Sequence, residues 1–289
     1  MPTKIEKDSV TGHMTTGHDW DGLQELNRPL PKWWLYVLYA SIAAAVVMCV
    51  LYPSVPGITG YWHGLLGYSQ RDRVDQAVAE VAAQRAGAMD RIKALSFADI
   101  RKDPQLVEVA ETAGRITFAN NCQPCHGAGG GGNPGYPALA AGDWIWGGTL
   151  EAIQQTVTRG IRSTDPDARQ SQMPRWGLDN MLTPEQIQQV ADYVMTLFGT
   201  PVQGAVIAPG RKLFVDNCAV CHGEVGQGDR EKGGPRLASR IHLHGDDRAA
   251  VVAQITNPKM GVMPNWNARL DEATIKSVVL YVHSLGGGE

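Results

Sequence analysis

Gly114-Arg-Ile-Thr-Phe118-Ala-Asn-Asn-Cys122-Gln-Pro-Cys125-His126-Gly127 and Gly210-Arg-Lys-Leu-Phe214-Val-Asp-Asn-Cys218-Ala-Val-Cys221-His222-Gly223 are two readings of one pattern, 96 residues apart. Two later blocks repeat in the same order. Met173-Pro174-Arg175-Trp176 returns as Met263-Pro264-Asn265-Trp266 at an offset of 90, and Leu182 through Tyr193 returns as Leu270 through Tyr281 at an offset of 88. Three blocks in one order, with small deletions between them, mark a duplicated unit of about 85–90 residues. Each copy reads as helix, Gly/Pro-rich loop, short helix, loop and closing helix, with Thr183 and Asp271 at N-cap positions of the closing helices.

Four of the five cysteines fall in these two Cys-x-x-Cys-His stretches. The spacing reads as c-type haem attachment: Cys122 and Cys125, and again Cys218 and Cys221, each bond one vinyl group across the macrocycle edge. The following residue, His126 or His222, is thereby set against the iron as proximal ligand. A thiol redox pair does not need the histidine, and a zinc site needs both pairs to converge, whereas each lies in its own repeat. Two covalently attached haem c groups are therefore expected. Met173 and Met263 recur at equivalent places and are the candidate distal ligands. The rivals are Met181 in the first copy and Met260, His242 or His244 in the second. Thioether ligation raises the iron potential and suits electron transfer. With both axial positions filled, neither iron can bind a substrate, and no nucleophile or acid–base constellation stands beside them. Pro137 and Pro235 follow the histidines by 11 and 13 residues, placing a carbonyl where it can fix the imidazole. Trp144, Trp146, Trp176 and Trp266 are candidates for packing on a haem edge. Domains this small bury little apolar surface unaided, so each half is expected to depend on its haem.

Upstream, residues 33–52 (WWLYVLYASIAAAVVMCVLY) carry no charge and are long enough to cross a bilayer as one transmembrane helix. Trp33, Trp34, Tyr36 and Tyr52 are placed as interfacial anchors, and Cys49 inside the span reads as a small apolar residue. Arg28 and Lys32 precede the span and no Lys or Arg follows before Arg71, which puts the N-terminus in the cytoplasm and the repeats outside. Pro53 and Pro56 end the span. Residues 71–95, Ala-rich with apolar residues at helical spacing, read as a spacer helix. The organisation expected is thus a cytoplasmic tail (1–32), a span (33–52), an interfacial segment and spacer (53–108), and two haem domains (109–199 and 204–289). The class is mainly α. A net charge of -3 argues against nucleic acid as a partner. Residues 109–199 carry 5 basic and 8 acidic side chains, against 10 and 9 in residues 204–289, which favours a basic donor at the first domain.

The N-terminal helix, Cys-x-x-Cys-His, Pro-x-Leu, distal Met-Pro and C-terminal helix resemble two tandem class I cytochrome c domains. Together with the lead-in His18-Asp-Trp-Asp-Gly…Pro29-Leu-Pro-Lys-Trp-Trp34, the chain is similar to the CcoP (FixP) family, the dihaem subunits of cbb3-type cytochrome c oxidases. The resemblance implies an inner-membrane respiratory subunit that takes electrons from a donor cytochrome c. It passes them through a monohaem subunit to a haem–copper subunit that reduces oxygen and pumps protons. The chain itself would be a non-catalytic part of that oxidoreductase. Two other classes are an independent membrane-tethered dihaem shuttle, and a haem enzyme or gas sensor. The second of these needs an open iron site, against which the two Met-Pro blocks speak.

Overall fold

The computed structural model describes residues 4–289. They form two compact units, one ending at Ala82 and one running from Ala83 to Glu289.

The first unit opens with an antiparallel hairpin, β1 (Thr15–Trp20) and β2 (Leu23–Leu26). Its two-residue turn is Asp21-Gly22, both at positive φ (53° and 90°), the turn that matches strand twist. The Asp19 carboxylate accepts the Gly22 N–H at 2.7 Å. The hairpin lies within the segment 1–32 read from the sequence as a tail, and the Asp21-Gly22 pair is its local signal. Next comes α1 (Lys32–Leu51), with a mean hydropathy of 2.2 and no buried residue. A helix that is apolar all round with nothing covering it needs a lipid or protein environment. Its last carbonyls are satisfied by chain that turns back: Leu65 and Leu66 N–H donate to Val50 and Leu51, and the Trp62 indole also donates to Val50. Helix α2 (Gln70–Ala94) is exposed along most of its length and buries only Ile92 near its end, as a spacer should.

The second unit holds α3 (Phe97–Ile100), α4 (Pro104–Asn121), α5 (Gln123–His126), α6 (Leu150–Arg159), α7 (Pro184–Leu197), α8 (Ile207–Asn217), α9 (Ala219–His222), α10 (Arg248–Thr256) and α11 (Glu272–Ser284). Asp103 caps α4 through the Gln105 and Leu106 N–H groups. Thr183 and Gln186 form a capping box on α7, and Asp271 accepts the Thr274 N–H to start α11.

The two repeats are present, but their closing helices are exchanged. Helix α4 of the first repeat packs against α11 of the second, and α8 of the second packs against α7 of the first. One core joins Phe118 and Leu106 to Val278 and Val279; the other joins Phe214 to Val190 and Ala191. Equivalent contacts occur in each. Gly114 lets α4 approach the Ser277 carbonyl and the Tyr281 Cβ, and Gly210 lets α8 approach the Gln189 carbonyl and the Tyr193 Cβ. Phe118 meets Tyr281 at 5.4 Å between ring centroids, and Phe214 meets Tyr193 at 5.1 Å. Neither repeat therefore closes on its own terminal helix. Helices α7 and α8 are joined by the short segment 198–206, so packing of these two neighbours is the low-cost arrangement. With α7 so engaged, α11 is the element left to cover α4.

Candidate haem-binding sites

Each Cys-x-x-Cys-His stretch lies on a tight turn of helix at the end of a long one. Cys122 and Cys218 end α4 and α8, donating their N–H groups to Phe118 and Phe214. One helical turn then carries His126 and His222 inward, and Gly127 and Gly223 reverse the chain at φ 75° and 74°. Nonglycine residues adopt that conformation at a cost, which explains glycine directly after both histidines.

The imidazole Nδ1 of His126 stands 3.0 Å from the Pro137 carbonyl, and that of His222 stands 3.0 Å from the Pro235 carbonyl. A carbonyl only accepts, so Nδ1 carries the proton and Nε2 keeps its lone pair free. Burial holds both imidazoles below the ordinary histidine range, opposed in part by that carbonyl bond. Burial thus favours the neutral ring, and the carbonyl bond at Nδ1 orients it with Nε2 available to a metal. Burial also pushes the Cys122 and Cys218 thiols up to about 11, with Cys125 and Cys221 adding to the effect. A thiol so protected from ionisation is a poor redox nucleophile. Among the described residues no His, Cys, Asp and Glu side chains cluster in threes as a metal cage.

The exchange of helices carries the methionines with it. Met173, of the first repeat, lines an open cleft together with Cys218 and His222 of the second. Met263, of the second repeat, packs on the core that holds Cys122 of the first. Backbone pairing fixes both loops in trans. Met263 and Ile161 exchange N–H···O bonds of 3.0 Å in both directions, and Trp266 donates to Val157 at the end of α6. In the other lobe Gly177 and Leu178 donate to Thr256 at the end of α10. The rivals fall differently. Met181 and Met260 are exposed, whereas His242 and His244 border the same cleft as Met173, His242 stacked on Phe198 at 3.5 Å.

Pro137 and Ala138 also line the cleft around His222, so the segment that orients His126 forms a wall of the second site. At its rim, Asp143 accepts the Ser239 hydroxyl at 2.6 Å and lies 3.6 Å from Arg236. Of the tryptophans, Trp176 is buried in the second core and Trp266 packs on the first. Trp144 donates to the Gly287 carbonyl, and Trp146 lies under the Arg169 guanidinium, 5.0 Å from its ring centre. Sequence reading missed Arg169, Arg162 and the Asp143–Arg236–Ser239 rim. Asp143 and Ser239 are 96 residues apart and Arg162 and Gly261 are 99 apart, while Arg169 folds back onto Ala152 and Thr156 of α6 from an irregular loop, so no local pattern reports them.

The donor set fits haem c. At the His222 site, paired thiols on one turn, an imidazole oriented by a carbonyl, and an apolar cleft with a thioether on its lining are what that group requires; the His126 site repeats the turn and the oriented imidazole, with Met263 packed on the same core. Comparison with known proteins agrees. Residues 12–59 match the family described as the N-terminal domain of cytochrome oxidase-cbb3, FixP; residues 111–198 match cytochrome c; residues 205–282 match cytochrome c oxidase, cbb3-type, subunit III. Over 290 aligned residues covering 100% of both chains, the protein is 47% identical to the cbb3-type cytochrome c oxidase subunit CcoP of Cereibacter sphaeroides. It is 46% identical over the same span to the subunit FixP of a Bradyrhizobium species, and 47% identical to CcoP of an Azospirillum species over 98% of each chain.

Proposed function

Since the chain belongs to the CcoP/FixP family of cbb3-type cytochrome c oxidase subunits, we propose that it is the membrane-anchored dihaem electron-transfer subunit of such an oxidase. In this role it takes electrons from a donor cytochrome c toward the oxygen-reducing haem–copper subunit by way of a monohaem subunit. The observation that carries the reading is the pair of histidines, His126 buried and His222 partly buried, each following two cysteines on one turn and each oriented by a proline carbonyl. Haem c, when bound, supplies one-electron redox chemistry at its iron. Cys122 and Cys125 hold one group and Cys218 and Cys221 the other. His126 and His222 would offer Nε2 to the iron, while Pro137 and Pro235 hold the Nδ1 proton and set the ring plane. Met263 would offer its thioether to the group at the His126 site and Met173 to the group at the His222 site. With those ligands in place the chain would have no substrate position of its own, so its part in this reading is non-catalytic.

Helix α1 anchors the chain in the bacterial inner membrane with the N-terminal hairpin cytoplasmic and both haem sites periplasmic, the side on which Arg28 and Lys32 are absent. The haem-binding units are the sequence repeats 109–199 and 204–289 with their closing helices exchanged. A tethered dihaem shuttle acting alone is the second reading. Purification from the native membrane in mild detergent separates the two. Haem b, copper and cyanide-sensitive oxygen uptake travelling with the chain establish the oxidase subunit. A lone dihaem protein without oxygen uptake establishes the shuttle.

A further inference from the structure

Arg162 stands just past α6 in a left-handed conformation, φ 53°, which a side-chain-bearing residue adopts only when its surroundings impose it. Its guanidinium reaches two places. Nε donates to the Gly261 carbonyl at 2.8 Å, and Nη1 donates to the Ser171 carbonyl at 3.1 Å and the Ser171 hydroxyl at 2.9 Å. Gly261 lies two residues before Met263, and Ser171 lies two residues before Met173. Among the described residues no carboxylate pairs with this side chain, so its charge is directed at those oxygens.

The rest of the duplication offers no counterpart. Thr149 and Asp247 cap α6 and α10 and so align the repeats there, 98 residues apart. The position equivalent to Arg162 is then Met260, an exposed residue. One planar fork in the first repeat thus serves the methionine loops of both. Arginine suits this because its donors are fixed relative to one another: placing Nε on one loop determines where Nη1 meets the other.

We propose that Arg162 is the positioning residue shared by the two distal-ligand loops, holding Met263 against the His126 site and Met173 against the His222 site at once. The inference rests on the reading of those methionines as distal ligands. It makes the two irons interdependent in coordination: whatever moves this one side chain loosens a methionine at each.

The test uses the full-length, haem-loaded chain in detergent. Haem content by alkaline pyridine spectrum first shows that both groups are attached. The methionine-to-ferric-iron charge-transfer band, carbon monoxide binding to the reduced protein, and the two midpoint potentials then report ligation. Arg162→Ala and Arg162→Gly, the latter also free of backbone strain, should each lose most of the band at both haems. Both potentials should fall and both irons should become accessible to carbon monoxide. Two intact bands, or loss at one haem alone, would overturn the proposal. Should neither variant retain haem, Arg162→Lys decides: partial loss at both haems supports it, and bands like those of the unaltered chain overturn it. Met173→Ala and Met263→Ala separate this from the premise. If each removes one band while Arg162→Ala removes none, the shared anchor fails and the ligand reading stands. If neither methionine variant alters a band, the ligand reading itself fails.

Discussion

The methionines carry the most consequence at the level of single residues. Because Met173 lines the cleft of His222, its replacement by alanine should lower the potential of the haem held by Cys218 and Cys221 and spare the other. Met263→Ala should do the reverse. A fall on the order of 0.1 V is expected, a modest part of the ~0.8 V range that axial ligands command. A redox titration in which Met173→Ala shifts the haem on Cys122 and Cys125 would disprove the crossed assignment. Recurrence in the sequence is what marks Met173 and Met263 as candidate ligands; it does not say which repeat's histidine each lies near. Sequence proximity favoured pairing within a repeat, and no residue near either methionine announces otherwise. Asp165 makes a second case. The Asn267 amide, the Asp167 N–H and Arg159 hold its carboxyl below the ordinary range, joining the loop after α6 to the loop after Met263. A depressed carboxylate stabilises the fold above its unfolded value of 3.8, and the contribution is lost as pH falls through the folded value. Asp165→Asn should therefore melt lower than the unaltered chain at pH 7, the gap closing on acidification below 3.8. A constant gap across that window in thermal melts would rule this out.

Among the elements, the two crossed helix pairs depend on Gly114 and Gly210. A Cβ at Gly210 would overlap the Gln189 carbonyl of α7, and one at Gly114 the Ser277 carbonyl of α11. In an exposed helix Gly→Ala gains about 1 kcal/mol from propensity. Here overpacking costs about 1–3 kcal/mol or more, because backbone rather than a flexible side chain must yield. Denaturant midpoints should accordingly fall for both variants, and a rise in either would show that the helices can slide apart freely. Lys276 links α11 to the spacer. Its ammonium, on a side chain largely removed from solvent, donates to the Lys93 and Leu95 carbonyls at 2.6 and 3.0 Å. Lys276→Met leaves those carbonyls without their donor and should cost about 1–3 kcal/mol. The periodicity of residues 71–95 was enough to place helix α2, and the apolar run 33–52 helix α1. The buried lysine was invisible, since a lone Lys in an amphipathic helix normally faces water.

At the scale of the molecule, the exchange predicts what depends on each cysteine pair. Cys218→Ala with Cys221→Ala should expose a segment that crosses the repeat boundary: α7 from the first repeat with α8 and α10 from the second. Helices α4, α6 and α11 should remain resistant. Limited proteolysis read by mass spectrometry distinguishes this from loss of residues 204–289 as a block, which is the result that self-contained halves would give. A protease site inserted within 198–206 should likewise leave the two fragments associated after cleavage, because each core draws helices from both.

The chain alone marked the candidate chemistry: two Cys-x-x-Cys-His turns, prolines spaced to reach the histidines, two recurrent methionines and one helix long and apolar enough to cross a membrane are all written in local spacing. Local spacing works there because covalent attachment and helix formation involve residues within a few turns of one another. The partnership of the helices was decided only in three dimensions. Both closing helices present the same face, Tyr193 and Leu197 in one and Tyr281 and Leu285 in the other, to equivalent glycines and phenylalanines. Pattern therefore fits either pairing equally well. The short connection from α7 to α8 breaks that degeneracy through the entropy of chain closure, and with it decides which methionine meets which histidine.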